Sequence, residues 1–114
     1  MERALAKNMK RILDSAKAVY AMKDYTSAAI LYFKALFMAI DYVILQNEGR
    51  IPHDHGDRFR ICEKKYPNLY RILDKLFPTY RTTYTTEISK ETTDEVRKSV
   101  SALVQEYSIP LEGK

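Results

Sequence analysis

From Tyr25 to Gln46 the chain carries a segment so apolar that its residues do not keep to one helical stripe; only Lys34 and Asp41 interrupt it with charge. As a helix rising 1.5 Å per residue it is roughly 33 Å long. A helix that is hydrophobic nearly all round has to be packed on several sides. In a chain of 114 residues the other elements must wrap around it. The expected fold class is therefore all-α, an up-and-down antiparallel bundle of four to five helices. Within this segment Ala28 to Leu45 is also long enough to cross a bilayer. Lys34 and Asp41 lie seven residues apart and hence on one face, which suits a buried helix with one edge at water, so no membrane is expected.

The flanking sequence supplies the wrapping elements. Leu5, Met9, Ile12, Leu13, Ala16, Val19 and Tyr20 recur at spacings of three and four, predicting a first helix from Arg3 to Ala21. Asp24 is placed to cap the second helix. Gly49 and Pro52 end it and leave a loop from Asn47 to about Gly56. A third helix fits Asp57 to Lys65, and a fourth starts near Asn68 with Leu69, Ile72, Leu73, Leu76 and Phe77. Pro78 leaves two readings open, in which Tyr80 to Tyr84 either continues that helix or forms a separate turn. A last helix, capped by Ser89 or Thr93, runs to about Tyr107 on Val96, Val100, Leu103 and Val104, and Pro110 ends it. Residues 1–109 read as one helical domain and 110–114 as a tail. No run of alternating apolar residues predicts a strand.

Cys62 is the single cysteine, which excludes an internal disulfide and favours a reducing compartment. The N-terminus lacks the apolar core of a signal peptide, and a cytoplasmic location is expected. Net charge is +4 and uneven. Arg50 to Arg81 holds eight basic and four acidic residues, whereas from Thr82 onward there are four basic and six acidic. A basic middle third suits phosphate contact, and solvated helix faces account for such charge equally well. The only histidines, His53 and His55, follow the longest helix beside Arg50. His53, Asp54 and His55 are too close in sequence to converge readily on one ion, so no metal and no cofactor is expected. No Gly-rich phosphate cradle and no Ser or Cys triad is present. Among nine tyrosines, Tyr66, Tyr70, Tyr80 and Tyr84 lie among the basic residues and suit base stacking, although tyrosines commonly pack with only the hydroxyl at the surface.

Three segments carry a resemblance. Asp24-Tyr25-Thr26-Ser27-Ala28-Ala29 with Tyr32-Phe33-Lys34-Ala35-Leu36 opens the second helix. Gly49-Arg50-Ile51-Pro52-His53-Asp54 forms the loop after it, and Tyr80-Arg81-Thr82-Thr83-Tyr84 follows near the last third. In this order they resemble the HEPN family, helical domains named for nucleotide binding in higher eukaryotes and prokaryotes. The resemblance covers nearly the whole chain. It implies a helical bundle that forms a homodimer, here through the apolar second helix or the last helix. It further implies one of two roles: a metal-independent ribonuclease, or an inactive partner of a small nucleotidyltransferase in a two-gene, toxin–antitoxin-type module.

The family's ribonucleases use an Arg followed, after four to six residues, by a His. Such a pair serves as base toward a ribose 2′-hydroxyl and as cation toward the charge growing on phosphorus. Arg50 and His55 match that spacing but sit in the loop after the second helix. At the later position of the family's motif, Arg81 is followed by Thr86, Glu87 and Ile88 with no histidine. The resemblance therefore implies an RNA- or nucleotide-associated accessory protein, leaning away from an enzyme, with Arg50, His53, His55, Arg58, Arg81 and Tyr84 facing the ligand. Arg50 and His55 are the catalytic pair if cleavage occurs. Ala16 to Ala39 also resembles one tetratricopeptide unit, but no second copy recurs at about 34 residues. A helical protein–protein interaction module without chemistry is the alternative.

Overall fold

The computed structural model describes residues 1–111; residues 112–114 of the expected tail lie outside the described residues. Five helices follow one another: α1 (Glu2–Ala21), α2 (Tyr25–Glu48), α3 (His55–Lys65), α4 (Pro67–Thr82) and α5 (Lys90–Glu106). Among the described residues there is no strand. The all-α bundle expected from the sequence is the fold found.

Everything is organised around α2. Phe33, Leu36, Ile40, Val43 and Ile44 are buried together with Ala28, Ala35 and Ala39. The small residues allow neighbouring backbones to approach closely while the large ones fill the space between helices. Met9, Leu13 and Ala16 come from α1, Val96, Val100 and Leu103 from α5, Leu69 and Leu73 from α4, and Cys62 from α3; all belong to the same core. Although α2 is long and apolar enough to span a membrane, 78% of its most apolar window is buried inside the bundle. Its apolar surface is thus consumed within one chain. Of its large apolar side chains only Ile30 stands exposed.

Helix ends follow local chemistry. Asp24, Asp54 and Ser89 accept hydrogen bonds from Ser27 N, Asp57 N and Thr92 N and so cap α2, α3 and α5. Ser89, not Thr93, is therefore the cap of the last helix. Thr93 is buried instead, and its hydroxyl donates to the carbonyls of Tyr25 (3.0 Å) and Ser89 (2.9 Å), tying the start of α5 to the start of α2. Asp54 starts α3 two residues earlier than the sequence pattern predicts.

The choice left open at Pro78 is divided: α4 continues through the proline to Thr82, and Thr83 and Tyr84 form a turn after it. Pro78 lies exposed near the helix end, and Asp74, whose carbonyl it leaves without a donor, is exposed as well. The Thr82 and Thr83 hydroxyls then donate to the carbonyls of Thr79 and Tyr80, both at 2.7 Å. Threonines with poor helix propensity here serve the helix terminus.

Truncation separates the enclosed face of α2 from its open edge. Ile40→Ala is expected to cost about 2–5 kcal/mol, while Ile30→Ala should stay within about 0.5 kcal/mol; urea denaturation followed by circular dichroism measures both.

Candidate functional site

The loop between α2 and α3 is fixed at each end. Gly49 adopts a left-handed φ of 78° and donates to Leu45 O (2.9 Å), a conformation glycine takes without the clash a Cβ would bring. At the other end Asp54 accepts from Asp57 N at 2.8 Å, and the Asp57 carboxylate reaches back to accept from His53 N at 2.9 Å. This reciprocal arrangement is a variant of the capping box. Arg50 completes it by donating to the same Asp57 oxygen at 2.9 Å. Hydrogen bonds from Arg50 and from the His53 amide hold the Asp57 carboxyl down at about 2.

This geometry separates the two members of the expected catalytic pair. Arg50 is engaged by Asp57, whereas His55 is engaged by Arg58 and makes no hydrogen bond to Arg50 among the described residues. The cause is that α3 begins at His55, so sequence spacing becomes rotation around a helix at about 100° per residue. Asp57, Ile61 and Lys64 fall on one face, while His55, Arg58 and Cys62 fall on the one turned to the core. The Arg50–His55 spacing matches the ribonuclease motif, and the structure does not bring the pair together.

The core-facing cluster is centred on Arg58, which is only 8% exposed. Its Nε and one terminal nitrogen grip Asp41 of α2 at 2.7 and 2.8 Å, a bidentate pair, and the other terminal nitrogen donates to His55 Nδ1 at 2.7 Å. The guanidinium also lies 5.1 Å from the Phe37 ring centroid. Arginine has donors only, so Nδ1 must be an acceptor and the proton of a neutral His55 must sit on Nε2. Around the imidazole, Phe37, Phe77 and Tyr80 pack with ring centroids at 4.8, 5.1 and 5.5 Å. Burial, followed by the charge of Arg58, lowers the His55 pKa below its ordinary 6.5. His55 is thus a neutral histidine with an oriented Nε2–H, which among the described residues meets no protein acceptor.

Asp41 had no partner in the sequence reading, which took it as the water-facing edge of α2. The structure turns it toward Arg58, and only Lys34 of that expected edge is exposed. A lone carboxylate in an apolar helix was the signal, since burying it requires a cation at contact distance.

The remaining predicted residues spread along the same flank. Arg81 is exposed, with its guanidinium 6.0 Å from the Phe77 centroid. Tyr84 is 82% exposed, and its hydroxyl neighbours that of Tyr80, whose own pKa is raised first by burial and then by Tyr84. Tyr80 therefore joins His55 to the Arg81–Tyr84 segment, a role sequence reasoning did not assign it. The His53 side chain is exposed, and the contribution of this residue to the loop is its backbone amide.

On the outer face of α3, Arg50 joins Arg60, Lys64 and Lys65 around a shallow cavity of about 290 Å³, with Glu48 and Asp57 as the acids. Four cations against two carboxylates make this the basic side of the site. Asp54 and His55 are spoken for by Asp57 N and by Arg58, so they do not converge with His53 on an ion. Among the described residues no group of three or more His, Cys, Asp or Glu is placed to hold a metal. Burial pushes the Cys62 thiol up to about 11, which keeps it protonated and unreactive.

Compared with family models, curated proteins and solved structures, the chain matches none of them. The site's chemistry must be argued from its own geometry.

Two titrations check that geometry. Because the folded His55 pKa is depressed, the unfolded chain binds the extra proton first; stability is full above 6.5, falls as pH drops below it, and levels off once the folded pKa is passed. NMR should find His55 in the Nε2–H form with a pKa under 6.5, and Arg58→Leu should raise that pKa by removing both the donor and the cation. For Asp57, stability is present above 3.8 and lost as pH falls toward about 2. Asp57→Asn should weaken the fold at neutral pH and flatten the acid limb of the stability curve in that window.

Proposed function

We propose that this chain is a HEPN-like RNA- or nucleotide-associated accessory protein, one partner of a two-gene module with a small nucleotidyltransferase, and that its contact surface is the flank formed by α3 and the end of α4. One observation carries the binding reading over the catalytic one: Arg58 donates to His55 Nδ1. With that acceptor occupied and the proton on Nε2, the imidazole is a hydrogen-bond donor to an oxygen and has no free lone pair with which to deprotonate a 2′-hydroxyl. A phosphate or carbonyl oxygen is a suitable acceptor for it.

The surroundings match such a ligand. Arg50, Arg60, Lys64 and Lys65 supply positive charge on the outer side of α3. Exposed Arg81 and Tyr84 supply a cation beside an aromatic face on the other. Cations track a phosphate backbone while tyrosine stacks a base without strong sequence preference.

Fluorescence anisotropy with single-stranded RNA at low salt, EDTA present, tests the reading. Salt-sensitive binding without cleavage is expected. Arg60→Ala/Lys64→Ala should lower the slope of log affinity against log salt by about 0.7 for each phosphate contact removed, and Tyr84→Ala should cost about 1–3 kcal/mol of binding. Cleavage that disappears in an Arg50→Ala/His55→Ala double variant would replace the accessory role with a nuclease. Absence of any binding leaves a protein-interaction module as the better account.

A further inference from the structure

On the other side of the bundle, α1 and α5 both pack on α2 and leave a groove between them. It opens as a cavity of about 520 Å³, within the range of roughly 300–1,000 Å³ common for small-molecule sites. Its walls are apolar, with Leu13 from α1, Val100 and Val104 from α5, and Leu111. Two cations, Lys17 and Arg97, and two tyrosines, Tyr20 and Tyr32, also line it. None of these residues belongs to the flank around His55.

The charges and hydroxyls in this cavity are not internally balanced. Asp94 is the acid beside the cavity, and it accepts from Tyr20 (2.6 Å), Lys90 (3.1 Å) and Arg97 (3.2 Å) at once. One carboxylate thus serves two cations, and Lys17 has no acidic partner among the described residues. Tyr32 is 3% exposed yet lines the cavity, and its hydroxyl has no hydrogen-bond partner among the described residues. Tyr20 and Arg97 line the same cavity as Tyr32. Among the described residues no buried side-chain polar atom lacks a partner, so the Tyr32 hydroxyl, which has none, is reached by solvent, and the cavity that Tyr32 lines is its opening.

We propose that this groove binds a small organic anion with an apolar body, an acyl or aryl carboxylate, whose carboxylate lies between Lys17 and Arg97 and accepts from the Tyr32 hydroxyl. The hydrocarbon part lies along Leu13, Val100 and Val104. Phosphodiesters fit less well because the lining, although it includes Ser101 and Gln105, is mainly apolar. The site is independent of the RNA-associated reading of the opposite flank.

Calorimetric titration with octanoate, set beside octan-1-ol as the uncharged analogue, tests the proposal on the full chain. One octanoate per chain is expected, with octan-1-ol weaker by about tenfold, the effect of losing one charge-assisted hydrogen bond. Lys17→Glu, at an exposed position, and Tyr32→Phe should each weaken octanoate binding. Val104→Trp should fill the groove and abolish it without changing RNA binding. If Val104→Trp fails to keep the helical circular dichroism of the parent, the Lys17→Glu comparison decides. Equal affinity for the acid and the alcohol, or unchanged affinity in Lys17→Glu, would overturn the proposal, as would no octanoate binding at millimolar concentration.

Discussion

A helix as apolar as α2 can be enclosed on all sides only if the one carboxylate it carries into the bundle is met by a cation, and Arg58 meets Asp41 with two parallel hydrogen bonds. The pair is nearly dry, with side chains only 9% and 14% exposed. An ion pair of this kind returns little net stability against its desolvation, but removing one partner strands the other and is costly. Its consequence is positional: it docks the first turn of α3 against the middle of α2. His55 is then fixed by the third donor of the same guanidinium, and Phe37, Phe77 and Tyr80 close around the imidazole. The fold and the candidate site share one anchor.

The outer half of the site depends on a second carboxylate. Asp57 gathers the His53 amide, the Arg50 guanidinium and, at 3.7 Å, that of Arg60. These contacts order a loop that would otherwise be a flexible link between helices, and they hold Arg50 on the outer face of α3. Arg50 and Arg58, eight residues apart, therefore have different tasks. The first is half-exposed and available to a polyanion once Asp57 has oriented it; the second is neutralised by Asp41 and acts through His55. Counting the positive charges of this segment without their partners overstates the field it presents, since Arg50, Arg58, Lys65 and Lys75 are each paired with a carboxylate within the chain.

How much of this was legible in the sequence follows from the range of each interaction. Periodicity and caps act within a few residues, so α1 and α2 were read closely, as was the need for other helices around α2. The continuation of α4 through Pro78 was less legible because it depends on where the proline faces and on hydroxyls that bind the carbonyls at the helix end. The residues of this flank were singled out from the sequence, but how they group in space was not. Arg50 and His55 looked paired because they are close in sequence, but α3 begins at His55 and Arg50, still in the loop, is held by Asp57 on another face of that helix. The partners of Asp41 and Tyr80 were missed for the opposite reason: each meets Arg58 or His55 across a long stretch of chain, and only packing brings them there. The groove between α1 and α5 had no sequence signal, because Lys17 and Arg97 become neighbours only when both helices settle on α2.

The state of His55 is where fold and chemistry constrain each other. An imidazole serving as base needs a free lone pair and a pKa near the working pH, and the usual device is a carboxylate or carbonyl that accepts from one nitrogen so that the other is free to take a proton. Here the arrangement is inverted. A guanidinium donates to Nδ1, the carboxylate that could have filled that role is occupied by the guanidinium, and burial further disfavours the imidazolium. Each of these effects favours the neutral donor tautomer, and none assists proton abstraction. To convert the site into a base, Arg58 would have to leave Nδ1, which means leaving Asp41 uncompensated in the middle of α2. The interaction that lets the bundle close is the same one that holds His55 as a hydrogen-bond donor and not as a base.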